Sequence, residues 1–236
     1  MYDWPEFRSG LTAFWRLLER ELDVPLPDLV HDVPLPPVWR DPDLSIGWCC
    51  GWNVAVEEIG AAAPFARPLW DMPGHGPGTY HSLIVCRDED AVRPLEEFLS
   101  APVINGPDSW SGCHVFNRWL AGRGLALHNP KVSGGHRASL AALRGGAARV
   151  AAIDAVCWRL ADRLGETAGL TVIGETDDYA STPFLLGPAL QDRAEEAFAA
   201  FSRALKQPEA QEWVEAIGIT GILPAAPKDY APMLPR

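Results

Sequence analysis

At 236 residues, with 47% hydrophobic and 22% charged side chains, the chain has the balance of a soluble globular protein long enough for one domain or two small lobes. Its net charge of −11 works against nucleic acid or an anionic membrane surface as a general partner, because the long-range field repels both; a single small anion is still admissible, since local donors decide its binding. No apolar run reaches the ~20 residues of a bilayer span, so no stable membrane insertion is expected, and the start MYDWPEFRSG lacks the basic, apolar, small-residue order of a signal peptide and reads as cytoplasmic.

Trp4, Phe7, Leu11, Phe14, Trp15, Leu18 and Leu22 recur at helical spacing, which predicts an amphipathic helix over residues 4–22 with Asp3 as its cap and Pro5 near its start. A proline-rich connection follows, and LSIGWCCGWNVAV then reads as a short strand, a glycine-containing turn and an apolar run. YHSLIVCRD is apolar and β-branched, a strand ending in charge. From about residue 92 the pattern becomes regular: a helix-like AVRPLEEFLS, the apolar APVIN, a serine-rich turn, and a helix with Val115, Phe116, Trp119 and Leu120 on one face. KVSGGHRASLAALRGG repeats that plan and stops at Gly145-Gly146. ARVAAIDAVCWRLADRL repeats it again, and LTVIGET is a further strand. Two helical segments, about 191–206 and 208–217, precede a proline-rich tail that reads as irregular. Strands alternating with helices at this pace predict βαβ units and a mainly parallel sheet. Ligands of such sheets bind at the carboxyl ends of the strands, and Ser109, Ser111, His136 and Asp154 each fall at or just past such an end.

The stretch VINGPDSWSGCHVFNRWL, residues 103–120, leaves a strand through Asn105-Gly106-Pro107, turns at Asp108–Gly112 and starts a helix. The hydroxyls of Ser109 and Ser111 lie where the first helical N–H groups lack partners, so side chains and backbone together offer several donors to one anion. The simpler reading is that Asp108 or Ser109 caps the helix. Asp154, which follows AAI and precedes a helix, has the same simpler reading as a cap of that helix. His136 sits in a glycine-flanked helix start with Arg137 beside it as a local counter-charge. Five cysteines, with Cys49 and Cys50 adjacent, suit reduced thiols better than a disulfide framework. His75, His81 and Cys86 have no recognised metal-ligand spacing, so neither a metal nor a cofactor is expected.

INGPDSWSG, then SGGHRASLAALRGGAARVAAIDAVCWRLA, then LTVIGETDDYASTPFLL resemble the phosphate/phosphonate-type substrate-binding proteins of ABC transporters. Their pattern is similar to N-x-x-D-S-x-S-G, T/S-G-S-H-x-x-S, A-A-I-D and a strand ending G-x-T, and the match runs over nearly the whole chain. The resemblance implies a two-lobed, periplasmic-binding-protein-like α/β fold of type 2. Each lobe would be a mixed, mainly parallel sheet flanked by helices, with the ligand cleft between lobes. Lobe one would comprise residues 1–87 plus 180–236, and lobe two residues 88–179 with the anion-cradle helix starts. Carried onto this chain, Ser109, Ser111 and Gly112 are the cradle, His136 a ligand donor, and Asp154 an acceptor or an orienting partner. Cys50-Gly51 matches a hydroxyl-bearing turn of lobe one. The ligand implied is a small anionic or phosphorus-containing molecule, and the implied partner is an ABC permease in an uptake system.

Three features depart from that pattern. Cys49 stands where a threonine is usual, so a strong donor is replaced by a weak one. Trp110 stands where a polar residue is usual, and Trp48 and Trp52 flank the cysteines; if Trp48 and Trp110 line the cleft, the ligand is larger and less polar than phosphate, and otherwise they are packing anchors. Met1 directly precedes the YD element, where relatives carry an apolar first strand. Either the start lies upstream, which fits periplasmic export, or lobe one lacks a strand and a neighbour's edge is exposed. The alternative to a binding protein is a cytosolic enzyme or ligand sensor on the same fold, with His136 or a cysteine as the reactive group.

Overall fold

The computed structural model describes residues 1–234. In chain order its elements are α1 (Arg8–Leu22), α2 (Leu35–Trp39), β1 (Ile46–Trp48), α3 (Gly51–Ala55), β2 (Ala63–Trp70), β3 (Thr79–Tyr80) and β4 (Ser82–Arg87). There follow α4 (Leu95–Phe98), β5 (Pro102–Ile104), α5 (Val115–Ala121), β6 (Lys131–Val132), α6 (His136–Arg144), β7 (Val150–Asp154), α7 (Ala155–Arg163) and β8 (Leu170–Glu175). The chain ends through β9 (Tyr179–Ala180), β10 (Phe184–Leu186), α8 (Ala194–Ala204), α9 (Gln211–Ile217) and β11 (Ile219–Pro224). Two compact units result: Met1–Thr79 together with the chain from Tyr179 onward, and Tyr80–Asp178.

The first unit has a four-stranded sheet in the order β1-β10-β2-β11, and every pairing in it is antiparallel. This corrects the expectation of a mainly parallel sheet here. A parallel pair needs a helical crossover between consecutive strands, whereas β10 reaches β1 and β2 after the excursion through the second unit and runs against both. β11 corrects the reading of an irregular tail. Gly221 and Pro224 lower its strand signal, and its place at the sheet edge tolerates them. α1 buries Phe14, Trp15, Leu18 and Leu22 of the predicted stripe and Leu17 besides, while Leu11 is half-buried. Phe14 stacks on Trp213 with centroids 4.8 Å apart and meets Phe201 edge-on at 5.5 Å. Gly10 permits the approach of α1 to α9, since a Cβ there would lie 2.7 Å from that of Trp213.

The second unit has a five-stranded sheet in the order β6-β5-β7-β4-β8. β5 runs parallel to β6 and to β7, as the repeated strand-helix pattern predicted, while β4 runs antiparallel to β7 and β8. β4 therefore belongs to this unit, and the first boundary lies at Thr79/Tyr80, eight residues before the expected one at 87. The run Ser82–Cys86 is buried throughout because β7 and β8 flank it and helices cover it. A strand's composition says that it is central and does not say in which sheet. Ile84, Cys86, Phe98, Phe116, Leu120, Val150 and Ala152 form the core here.

Candidate functional site

β5, β6, β7 and β8 point the same way in the second unit, and β4 points back. One end of this sheet therefore collects the residues that follow four strands and the one that opens the fifth: Asn105 after β5, Ser133 after β6, Asp154 at the end of β7, Thr176 after β8 and Ser82 at the start of β4. Such an end is where loops lead into helices and where ligands of α/β sheets bind. It is polar although enclosed: Ser82, Ser111, His136, Asp154 and Thr176 are all buried.

The serine turn forms the first wall. Ser109 is the N-cap of a π-helical turn over Trp110–His114 that continues as α5, and its Oγ accepts from the Gly112 N–H at 3.1 Å. The cap reading of Ser109 thus describes its contacts, and acceptance at Oγ leaves the hydroxyl hydrogen to donate elsewhere. The Ser109 carbonyl accepts from both Cys113 and His114, which is what widens the first turn; such π-turns are common at functional positions. Gly112 is required: a Cβ there would fall 1.5 Å from Asn105 Oδ1. That oxygen is buried and has no hydrogen-bond partner among the described residues.

His136 joins the second wall. Gly134, with φ of +93°, turns the backbone so that α6 begins at His136. Nε2 lies 2.8 Å from Ser111 Oγ and 3.3 Å from Asn105 Nδ2. Nδ1 faces the end of β7 and accepts from the Asp154 N–H at 3.4 Å, while Nε2 faces Ser111 Oγ and Asn105 Nδ2, where the donor and acceptor roles follow from the tautomer. Burial pushes the imidazole down to about 4, an Ala152 backbone hydrogen bond opposing it. His136 is therefore neutral near pH 7 and brings a dipole, not a positive charge. Ser82 Oγ donates to the Ser111 carbonyl at 2.9 Å, and Thr176 Oγ1 accepts from the Ser82 N–H at 2.9 Å, which ties the serine turn to the two strands beyond β7.

The remaining expected site residues divide. Asp154 is fully buried, and its Oδ1 accepts from the N–H groups of Val156 and Cys157 at 2.8 and 3.3 Å, so it caps α7 and occupies that helix's first donors. Arg137 forms a forked ion pair with Glu166, closest at 2.6 Å, and its charge is spent there. Trp110 is buried beneath the Arg118 guanidinium, 4.7 Å from its ring, which is a packing role. Trp48 and Cys50 lie in the first unit. Trp48 Nε1 donates to the Thr182 carbonyl and Oγ1, and its ring meets Tyr2, Trp70, Phe184 and Trp213. Cys50 precedes α3, and its carbonyl accepts from Asn53 N–H and Cys49 Sγ. Sequence reasoning named neither Asn105 nor Ser82 nor Thr176 as site residues. Asn105 and Thr176 stand in the quoted asparagine and G-x-T positions, while nothing in the sequence marks Ser82.

The family model described as the periplasmic substrate-binding protein of phosphonate ABC transporters matches residues 45–230. The chain belongs to that family. No curated protein sequence matches it, but solved structures do. PhnD1 of Prochlorococcus marinus, in complex with methylphosphonate, is 16% identical, with a TM-score of 0.74 over 96% of this chain and 90% of that one. A binding component of an ABC phosphonate transporter from Pseudomonas aeruginosa is 14% identical, with a TM-score of 0.74 over 95% and 80% of the two chains. A Xanthomonas citri protein bound to ATP is 13% identical, with a TM-score of 0.66 over 97% and 91%. At these identities the likeness establishes the fold, that of two-lobed type 2 binding proteins. Among the described residues of this phosphonate-binding family member, no helix is long and apolar enough to cross a membrane.

Proposed function

We propose that the protein binds a small phosphonate-like or phosphate-like anion at the polar end of the second unit's sheet and delivers it to an ABC permease. One observation carries this reading: Asn105, the Ser109–Gly112 turn and neutral His136 meet within hydrogen-bonding distance at the ends of β5 and β7, and the helix that starts at Trp110 and α6 both begin there. The attraction comes from dipoles and hydroxyls, because Arg137 is committed to Glu166; helix starts favour negative charge without a formal counter-ion. Methylphosphonate on the Prochlorococcus relative and ATP on the Xanthomonas relative are both phosphorus oxyanions, which supports this ligand class. The thiols give the enzyme alternative little support: burial pushes Cys49 and Cys157 well above the usual thiol range and Cys86 up to about 11, so these three are not thiolates near pH 7.

Calorimetric titration with phosphate, methylphosphonate and ATP tests the reading. Saturable binding of at least one oxyanion is expected, and Ser109→Ala with Ser111→Ala lowers that affinity tenfold or more, since each hydrogen bond to a charged group contributes about 1.5–3 kcal/mol. Heat signals unchanged in the double variant, or none with any oxyanion, contradict it.

A further inference from the structure

Ser82, the first residue of β4, pairs with Asp154, the last residue of β7. The two share one rung of an antiparallel ladder, so their side chains lie on one face of the sheet. On its other side the Ser82 backbone is held by the residue that follows β8: its N–H donates to Thr176 Oγ1 at 2.9 Å, and its carbonyl accepts from the Thr176 N–H at 3.0 Å. A hydroxyl on a backbone fixed from both sides is a rigid strut. This one is buried and donates to the Ser111 carbonyl at 2.9 Å, so its single hydrogen is spent inside the protein.

That carbonyl and the Gly112 N–H are the two ends of one trans peptide and point in opposite directions. The Gly112 end donates to Ser109 Oγ at 3.1 Å. Ser82 therefore grips one end of the peptide whose other end occupies the Ser109 oxygen, which leaves the Ser109 hydroxyl hydrogen as the group offered to an anion. The same rung serves the opposite wall, because His136 Nδ1 accepts from the Asp154 N–H at 3.4 Å. The serine turn and the imidazole are thus both referenced to the Ser82–Asp154 rung.

We propose, resting on the anion-binding reading above, that Ser82 is a positioning residue for the anion. Without touching the ligand, its hydroxyl fixes the Ser111–Gly112 peptide and through it the donor directions of Ser109 and Ser111. A packing role alone would set stability and leave the effects of Ser82 and Ser109 independent; positioning through a shared peptide couples them.

The test uses the full chain and methylphosphonate. Ser82→Ala removes one hydroxyl and is expected to weaken calorimetric affinity about tenfold, while Ser82→Thr, which keeps the donor, stays within about threefold of the unaltered chain. Ser82→Ala combined with Ser109→Ala is expected to lose about fivefold less than the product of the two single losses. In the ligand-free protein, hydrogen exchange at the Gly112 amide is expected to quicken about tenfold in Ser82→Ala, while Ile84 in the middle of β4 keeps its rate. Should the alanine variant fold poorly, Ser82→Cys keeps a weak S–H donor in a similar volume; it is expected to bind more weakly than the unaltered chain and to quicken Gly112 alone. Equal affinity in Ser82→Ala or Ser82→Cys, Ser82→Thr no better than Ser82→Ala, additive losses in the double variant, or equal quickening at Gly112 and Ile84 would overturn the proposal. Exchange needs no ligand, so failure of the unaltered chain to bind phosphate, methylphosphonate or ATP refutes the proposed function, and an unchanged Gly112 rate separately refutes the role of Ser82.

Discussion

Two turns of this chain share a grammar and differ in chemistry. Trp48–Gly51 and Ser109–Gly112 each carry the backbone from a short strand to a helix start that includes a glycine, and in each the glycine is dictated by close approach. A Cβ on Gly51 would meet the Tyr230 ring at 2.7 Å, and one on Gly112 would meet Asn105 Oδ1. The neighbours differ: an aromatic ring and a methionine against one turn, an amide against the other. The first turn is built from thiols and an indole whose donors are satisfied inside the unit, by Cys50 O and Thr182. The second is built from hydroxyls linked to a neutral imidazole. The same backbone device therefore serves packing in one unit and offers donors in the other, and side-chain chemistry at the three positions before the glycine decides which.

If the first turn is packing, Trp48→Ala should act on stability alone. Losing the ring contacts and both bonds to Thr182 is expected to cost about 3–4 kcal/mol, measured by urea denaturation, with oxyanion affinity retained below the transition. A large affinity loss in the folded variant would move Trp48 into the binding surface. The second turn should respond to acid. His136 titrates at about 4 when folded and near its ordinary 6.5 when unfolded, so the unfolded chain binds the proton more readily. The stability tied to its neutral form is complete above pH 6.5 and is lost as pH falls toward 4, by about 3 kcal/mol. Denaturation midpoints across that window, with His136→Gln showing a flatter slope, check this; equal slopes would contradict it. A smaller effect is expected for Gly112→Ala, about 2 kcal/mol as Asn105 is displaced, accompanied by weaker anion binding. Unaltered affinity would detach Asn105 from the site.

The contrast also shows what the sequence could and could not carry. Repeated strand-turn-helix units made the second unit legible from β5 to α7, because local periodicity and caps agree there and the partners are close in the chain. In the first unit the partners are far apart. β1 pairs with β10 across more than 130 residues, and no local pattern announces an antiparallel ladder. The convergence of Ser109, Ser111, His136 and Asp154 followed from strand ends, but their division of labour did not. That Asp154 caps α7 and that Arg137 turns to Glu166 depend on which neighbours arrive, and the role of Ser82 depends on a strand that enters from outside the repeat.

The account rests most heavily on an anion held by the amides and hydroxyls around Ser111 and His136. Backbone amide chemical shifts recorded during titration with methylphosphonate address it directly. The largest perturbations are expected at Trp110–Gly112 and His136–Ala138, with Ile46–Trp48 little changed. Perturbations confined to residues outside the Ser109–Gly112 turn and the start of α6 would contradict it.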